Sequence, residues 1–333
     1  MPAQREGGWR SHADPSRAGR APVGRLAPSP TGLLHLGHAR SFLLAWWHAR
    51  SRGGRVLLRI EDLDRERSRP ELVATLLEDL AWLGLDWDGE PVFQSRDTSA
   101  LTDAIERLLA EGLAYPCTCS RAEVAALSAP HAGQAEPRYP GTCRGLWRTR
   151  DQAQRASGRA AGVRVLVPAG EVEIADRIAG TRRFDVAVEV GDFLIQRKDG
   201  AFAYQLAVVV DDARSRVSEV LRGDDLLPSA ARQWHLQEHL DLPHPEWIHV
   251  PLVVDAGGRR LAKRAGDLAL AELRARGVDP RAVVAWAARS AGLDAPERAG
   301  APELLGAFDL ERLPREPVRL APRDLDRLLA ARA

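Results

Sequence analysis

The stretch Pro28-Ser29-Pro30-Thr31-Gly32-Leu33-Leu34-His35-Leu36-Gly37-His38 constrains this chain more than any other. Two prolines and a glycine exclude a helix over its first half. Before it lies a short apolar run, Val23–Ala27, suited to a buried strand. After it, Ala39–Arg50 places Phe42, Leu43, Trp46 and Trp47 on one helix face. The spacing therefore puts His35, Gly37 and His38 at a helix N-terminus that follows a buried strand. Backbone N–H groups and the helix dipole favour anions there. Two imidazoles at such a point can donate hydrogen bonds to a triphosphate as charge builds. Gly37 removes a side chain where a nucleotide would approach the backbone. For His-x-Gly-His alone, a loop with two incidental histidines is the plain alternative.

The order of elements extends this reading. Gly53-Gly54 turns the chain, Val56–Ile60 suits a second buried strand, and Pro70–Leu83 and Ser99–Glu111 suit helices. Strand, loop, helix, strand, helix is the order of a doubly wound parallel, Rossmann-like α/β sheet. Residues 23–114 thus read as the first half of a nucleotide-binding catalytic domain. Residues 115–190 hold all three cysteines and several prolines with little periodicity, and read as an insertion. It contains two strand-like runs, Val163–Val167 and Glu171–Ala175. Alternation resumes with Ala203–Val210, Val217–Leu221, Ser229–Leu240 and Ile248–Val254, so residues 191–265 read as the second half of the domain. Residues 266–333 read as a short helical C-terminal region broken by Gly and Pro. Residues 1–22, rich in Arg, Gly, Ser, Pro and Ala, read as a disordered tail.

Composition narrows the class. The 333 residues are 45% hydrophobic and 28% charged, an ordinary globular balance. No apolar run approaches a membrane span, and the start has no apolar core of a secretion signal. Three cysteines, an odd number, argue against a disulfide framework and for a reducing cytoplasm. A net charge of +1 neither supports nor excludes a nucleic-acid partner. Arginine is the default cation, since only Lys198 and Lys263 are lysines. A retained lysine therefore carries weight as a compact point charge. Lys198, in Arg-Lys-Asp-Gly, reads as a turn residue, whereas Lys263 follows a Gly-rich stretch.

Five segments in order carry a resemblance. Pro-Ser-Pro-Thr-Gly before His-Leu-Gly-His resembles the HIGH-motif region of glutamyl-type class I aminoacyl-tRNA synthetases. RIEDLD at 59–64, AYQLAVVVDD at 203–212 and LRGDDLL at 221–227 resemble the same group. IHVPLVV at 248–254, followed by GRRLAKR at 258–264, resembles its second, KMSKS-like loop. Little chain follows that loop, where a discriminating glutamyl-tRNA synthetase would continue into a long helical anticodon-binding domain. With Cys-x-Cys after the first half, the chain is similar to the glutamyl-Q tRNA(Asp) synthetase family. Members of that family attach glutamate to the queuosine base in the anticodon of tRNA(Asp). Three other readings stay open: a truncated glutamyl-tRNA synthetase acting on a 3′ end, an adenylating paralogue with another acceptor, and a non-catalytic nucleotide or amino-acid binding module.

The resemblance implies a site. ATP and L-glutamate are the substrates, tRNA(Asp) carrying queuosine is the acceptor, and no membrane is involved. Mg²⁺ is expected with ATP, held mainly by phosphate oxygens and water. His35, His38 and Lys263 are the implied catalytic residues, and with Gly37 they form the ATP site. Arg25, Leu26, Ala27, Pro28, Ser29, Glu61, Tyr204 and Arg222 are the implied glutamate site. Arginine can grip a carboxylate bidentately, and Glu61 can hold the substrate ammonium. Asp62, Asp64, Asp211, Asp212, Asp224 and Asp225 read as turns, caps and positioning groups rather than paired catalytic carboxylates. The second loop departs from the family pattern, with Arg260 for the first lysine and Ala262 for the usual serine. The resemblance also implies one structural Zn²⁺ on Cys117, Cys119 and Cys143, with Tyr139 as fourth ligand by its Tyr-x-x-x-Cys spacing. His131 is the competing fourth ligand, and three metal-free thiols are the bland reading.

Overall fold

The structure is a computed structural model that describes residues 9–10, 20–127, 137–261 and 269–333. Lys263 and His131 lie outside the described residues. Trp9–Arg10 (β1), within the stretch expected to be disordered, pairs in parallel with Val172–Glu173.

The strands expected at Val23–Ala27 and Val56–Ile60 are present. Val23–Leu26 (β2), Arg55–Ile60 (β3) and Val92–Phe93 (β4) make a parallel sheet in the order β2-β3-β4. Leu36–Arg50 (α1) and Pro70–Trp82 (α2) supply the crossovers, and Ser99–Ala110 (α3) follows. Helix α1 begins three residues before the expected Ala39, because His35 caps it. Leu43, Trp46 and Trp47 of its apolar face are buried, Phe42 is partly buried at the cleft, and the Trp47 Nε1–H donates to the Ala301 carbonyl at 2.8 Å. That bond ties α1 to the C-terminal region.

The segment after α3 is more divided than a simple insertion. Ala114–Cys117 (β5), Gly162–Val165 (β6) and Leu194–Gln196 (β9) form a small antiparallel sheet of their own, and Arg121–Leu127 (α4), Arg150–Ser157 (α5) and Val186–Glu189 (α6) are short helices of this segment. Val172–Asp176 (β7), within the expected insertion, instead joins the main parallel sheet beside Glu246–Val250 (β11). Its hairpin partner is Gly180–Phe184 (β8). Residues of β7 alternate inward, and buried Val172 and Ile174 belong to the second apolar core. A strand buried in that core cannot be a peripheral excursion.

Tyr204–Arg214 (α7) and Leu227–His239 (α8) flank Glu219–Gly223 (β10), which pairs in parallel with β11. The two half-sheets meet where the Ser218 N–H donates to the Val23 carbonyl at 2.9 Å. Leu270–Ala275, Pro280–Ser290 and Pro322–Ala330 are the C-terminal helices. The fold thus brings the C-terminal ends of β2, β3 and β10 to one edge, beside the N-terminus of α1. In open parallel sheets this edge is where ligands bind.

Candidate active site

A cleft of about 410 Å³ opens at that edge. Arg25, Ala27, Pro28, Ser29, His35, Gly37, His38, Glu61, Tyr204 and Arg222 all line it. Residues separated by up to two hundred positions therefore meet in one cavity. Leu26 is the exception. Its side chain is fully buried in the first apolar core and does not line the cleft. Strand alternation explains this: Arg25 and Leu26 point to opposite faces.

The histidines are built into the helix start. His35 Nδ1 accepts from the Gly37 N–H at 3.1 Å, and His38 Nδ1 accepts from the His35 N–H at 3.2 Å. The rings stack with centroids 3.7 Å apart. With Nδ1 occupied as an acceptor, each neutral ring carries its proton on Nε2. Both rings thus have an N–H donor suited to an anion at the helix N-terminus. Gly37 lines the cleft, and its missing side chain also serves the helix cap. A Cβ there would sit 3.0 Å from Cε1 and 3.1 Å from Nδ1 of the capping His35 ring. Glycine leaves room for the cap itself.

The glutamate-site residues rest on buried charge. Asp212 pairs with Arg59 Nη1, and its Oδ1 lies 3.6 Å from Arg25 Nε. Arg59 Nη2 also donates to Glu61 at 3.2 Å, and the other Glu61 oxygen accepts from Ser29 Oγ at 3.2 Å. Burial pushes the Glu61 carboxyl above its usual range, against the pull of Arg59 and Arg25. A substrate ammonium would favour its charged form. Burial lowers Arg25, with Asp212 opposing. Arg222 donates from Nε to His249 Nε2 at 3.0 Å and from Nη2 to the Leu226 carbonyl at 3.2 Å. Its Nη1 is buried and has no hydrogen-bond partner. Buried donors seldom go unpaired, so this atom is one a ligand would satisfy.

Asp62, Asp64, Asp211 and Asp225 each have a partner within the protein. Asp62 accepts from the Ser95 N–H and Oγ–H, Asp64 pairs with Arg67, and Asp211 accepts from Gln94. Asp225 pairs with Arg260 at 2.6 Å at the cleft, so the arginine that replaces the first loop lysine has a defined partner. Leu261 lines the cavity, and Ala269 bridges to His35.

A second cluster lies on the antiparallel sheet. The sulfurs of Cys117, Cys119 and Cys143 all lie within 4.8 Å of one another. Tyr139 Oη is 3.4 Å from Cys117 Sγ and 3.8 Å from Cys119 Sγ, and Cys119 Sγ is 3.5 Å from Cys143 Sγ. A tetrahedral zinc with bonds of about 2.3 Å separates its sulfurs by roughly 3.8 Å. The donor set therefore fits one such ion. Two cations support it that sequence reasoning did not single out for this role. Arg164 Nε donates to Cys117 Sγ at 3.3 Å, with its guanidinium 3.7 Å over the Tyr139 ring. Lys198, read as a turn residue, donates to the Thr118 carbonyl between the two cysteines at 2.7 Å.

Comparison with known proteins agrees with this geometry. The family model described as tRNA synthetases class I (E and Q), catalytic domain, matches residues 23–300. A glutamyl-Q tRNA(Asp) synthetase of Symbiobacterium thermophilum is 50% identical over 308 residues, covering 89% of this chain and 95% of its own. One from Nocardia farcinica is 48% identical over 297 residues, covering 89% and 92%. The crystal structure of a glutamate tRNA ligase from Elizabethkingia meningosepticum, in complex with its amino acid, superposes with a TM-score of 0.78. It is 24% identical, and the match covers 91% of this chain and 68% of that one, which bears on the fold alone.

Burial beside Arg222 has a consequence for stability. Burial lowers His249 from the ordinary 6.5 to about 4, although Asp176 opposes the shift. The folded ring therefore stays neutral where the unfolded ring takes a proton. Stability from this residue is intact above about pH 6.5 and is lost as pH falls toward 4. In urea unfolding across that window, His249→Gln should give a pH slope shallower by about 1.4 kcal/mol per pH unit. An unchanged slope would show that His249 titrates normally in the fold.

Proposed function

The chain belongs to the class I tRNA synthetases for glutamate and glutamine, and we propose that it activates L-glutamate with ATP and transfers it to queuosine in tRNA(Asp). The observation that carries the reading is the cleft itself. It sets an unpaired Arg222 donor and buried Arg25 near the Glu61 carboxylate, with two helix-capping imidazoles beside them. That arrangement suits an amino acid with two carboxylates and one ammonium, next to a polyphosphate. High identity to glutamyl-Q tRNA(Asp) synthetases over nearly their whole length supports the acceptor.

In the first step a glutamate carboxylate oxygen attacks the α-phosphorus of ATP. The bond from that phosphorus to the bridging oxygen breaks, and pyrophosphate leaves. In the second, a hydroxyl of the queuosine ring attacks the glutamyl carbonyl, and AMP leaves. The chain's part is positioning and charge stabilisation. Arg222 and Arg25 hold carboxylate charge, Glu61 the ammonium, and His35 and His38 donate to phosphate oxygens. Lys263 adds a point charge to the phosphates, and Gly37 keeps the capping ring in place. Mg²⁺ accompanies ATP on phosphate oxygens and water. A tRNA substrate and reduced thiols suit the cytoplasm, and no helix among the described residues is long and apolar enough to cross a membrane.

The acceptor is tested with labelled glutamate and tRNA(Asp) prepared with and without queuosine. Only the queuosine-containing tRNA should be labelled, and pyrophosphate exchange with glutamate should need no RNA. Equal labelling of both tRNAs would contradict the acceptor and favour a 3′-end synthetase.

Cys117, Cys119, Cys143 and Tyr139 would hold one structural zinc, pinning the antiparallel sheet against the rest of the domain. Protein purified without added zinc should contain about one zinc per chain, as a closed structural site does. Tyr139→Phe should lower that content, and His131→Ala should not. Substoichiometric metal that does not rise on adding zinc would refute the site.

A further inference from the structure

We propose that Asp176 and His249 form a positioning relay that aims Arg222 at the substrate carboxylate and leaves its charge uncommitted. The proposal rests on reading the cleft as the glutamate site. His249 and Arg222 are direct partners across the parallel strands β11 and β10. Asp176 ends β7, on the other side of β11, in register with Trp247. Three strands therefore each contribute one member.

The hydrogen bonds allow a single arrangement of protons. Arginine has no acceptor, so His249 Nε2 must accept from Arg222 Nε, at 3.0 Å. An ionised carboxylate has no donor, so Nδ1 carries the proton and donates to Asp176 Oδ2, at 2.6 Å. The side chains of both Asp176 and His249 are fully buried. Asp176 is itself fixed, accepting from the N–H groups of Ile178 at 3.0 Å, Ala179 at 2.8 Å and His249 at 3.0 Å. The ring is held neutral by its burial.

Neutrality is the point of the device. Arg59 shares its charge with Asp212 and Glu61. Arg222 is held instead by an imidazole, a carbonyl and the face of Trp247, 5.0 Å from the ring centroid. No carboxylate pairs with it among the described residues. Its geometry is fixed as firmly as in a salt bridge, while its full charge remains for a ligand anion. A carboxylate in place of His249 would fix it equally well and cancel that charge.

Two substitutions separate the relay from a purely structural role. His249→Asn keeps a polar group near the Nδ1 position, facing Asp176, and loses the acceptor for Arg222. His249→Gln puts an amide oxygen near the Nε2 position and keeps that acceptor. In glutamate-dependent ATP–pyrophosphate exchange, His249→Asn should raise the KM for glutamate about tenfold, leaving kcat and the KM for ATP within about threefold. His249→Gln should restore most of the glutamate affinity. A glutamate KM unchanged in His249→Asn, or equal rises for glutamate and ATP, would overturn the relay. Nitrogen NMR of the wild-type imidazoles tests it without any variant. His249 should be the Nδ1–H tautomer at neutral pH, and its Nε2 resonance should move on adding glutamate. An Nε2–H tautomer would overturn the relay. Absence of glutamate-dependent exchange in the wild type would overturn the reading of the cleft, whereas wild-type exchange with an unmoved His249→Asn would overturn the relay alone.

Discussion

The carboxylate of Asp212, shared between the buried guanidiniums of Arg25 and Arg59, holds the site together. It sits on α7, while the two arginines come from β2 and β3, so one group ties both halves of the sheet. Coulomb attraction here works with little screening, because all three side chains are nearly sealed from water. Removing it would leave Arg25 without a paired carboxylate and Arg59 with Glu61 alone, and breaking a buried pair costs about 3–5 kcal/mol at comparable sites. Arg59, held by Asp212, also donates to Glu61, which accepts from Ser29 at the cleft.

The arginines of the cleft fall into two kinds by what they touch. Arg59 spends its charge on carboxylates of the protein and shapes the wall. Arg222 meets only neutral acceptors and an aromatic face, so it can answer a substrate anion. Arg25 stands between them, hydrogen-bonded to the Leu221 carbonyl and only distantly paired with Asp212. Glu61 provides the opposite charge in the same cavity. Selection of a dicarboxylic amino acid follows from this separation of committed and uncommitted charge, more than from the number of cations present. The same logic holds at the three cysteines, where Arg164 places a buried cation against sulfur rather than against a carboxylate.

Much of the site was legible where the chemistry is local. His35 and His38 at a helix start follow from prolines, a glycine and a helical face within a few residues. The cysteine cluster follows from Cys-x-Cys and a turn. What stayed hidden depends on contacts between distant strands. Asp176 lay in a segment read as an insertion, and only the pairing of β7 with β11 places it under His249. His249 stood in a quoted motif with no role, because its partners come from other strands. Leu26 was drawn into the glutamate site by its neighbours, although strand alternation turns it to the core. At Gly37 the contact with the capping His35 ring is a second use of the missing side chain that sequence does not show. Lys198 lies in a turn, as its sequence suggests, but its bond to a carbonyl eighty positions away cannot be seen in sequence.

The central claim is that one cleft holds glutamate on uncommitted arginine and the adenylate phosphate on the histidine-capped helix. A crystal structure with a stable glutamyl-adenylate analogue tests it most directly. The account predicts a glutamyl carboxylate within hydrogen-bond distance of Arg222 Nη1, the ammonium against Glu61, and the phosphate mimic beside the His35 and His38 rings. An analogue bound elsewhere, or bound in this cleft with Arg222 Nη1 still unpaired, would contradict it.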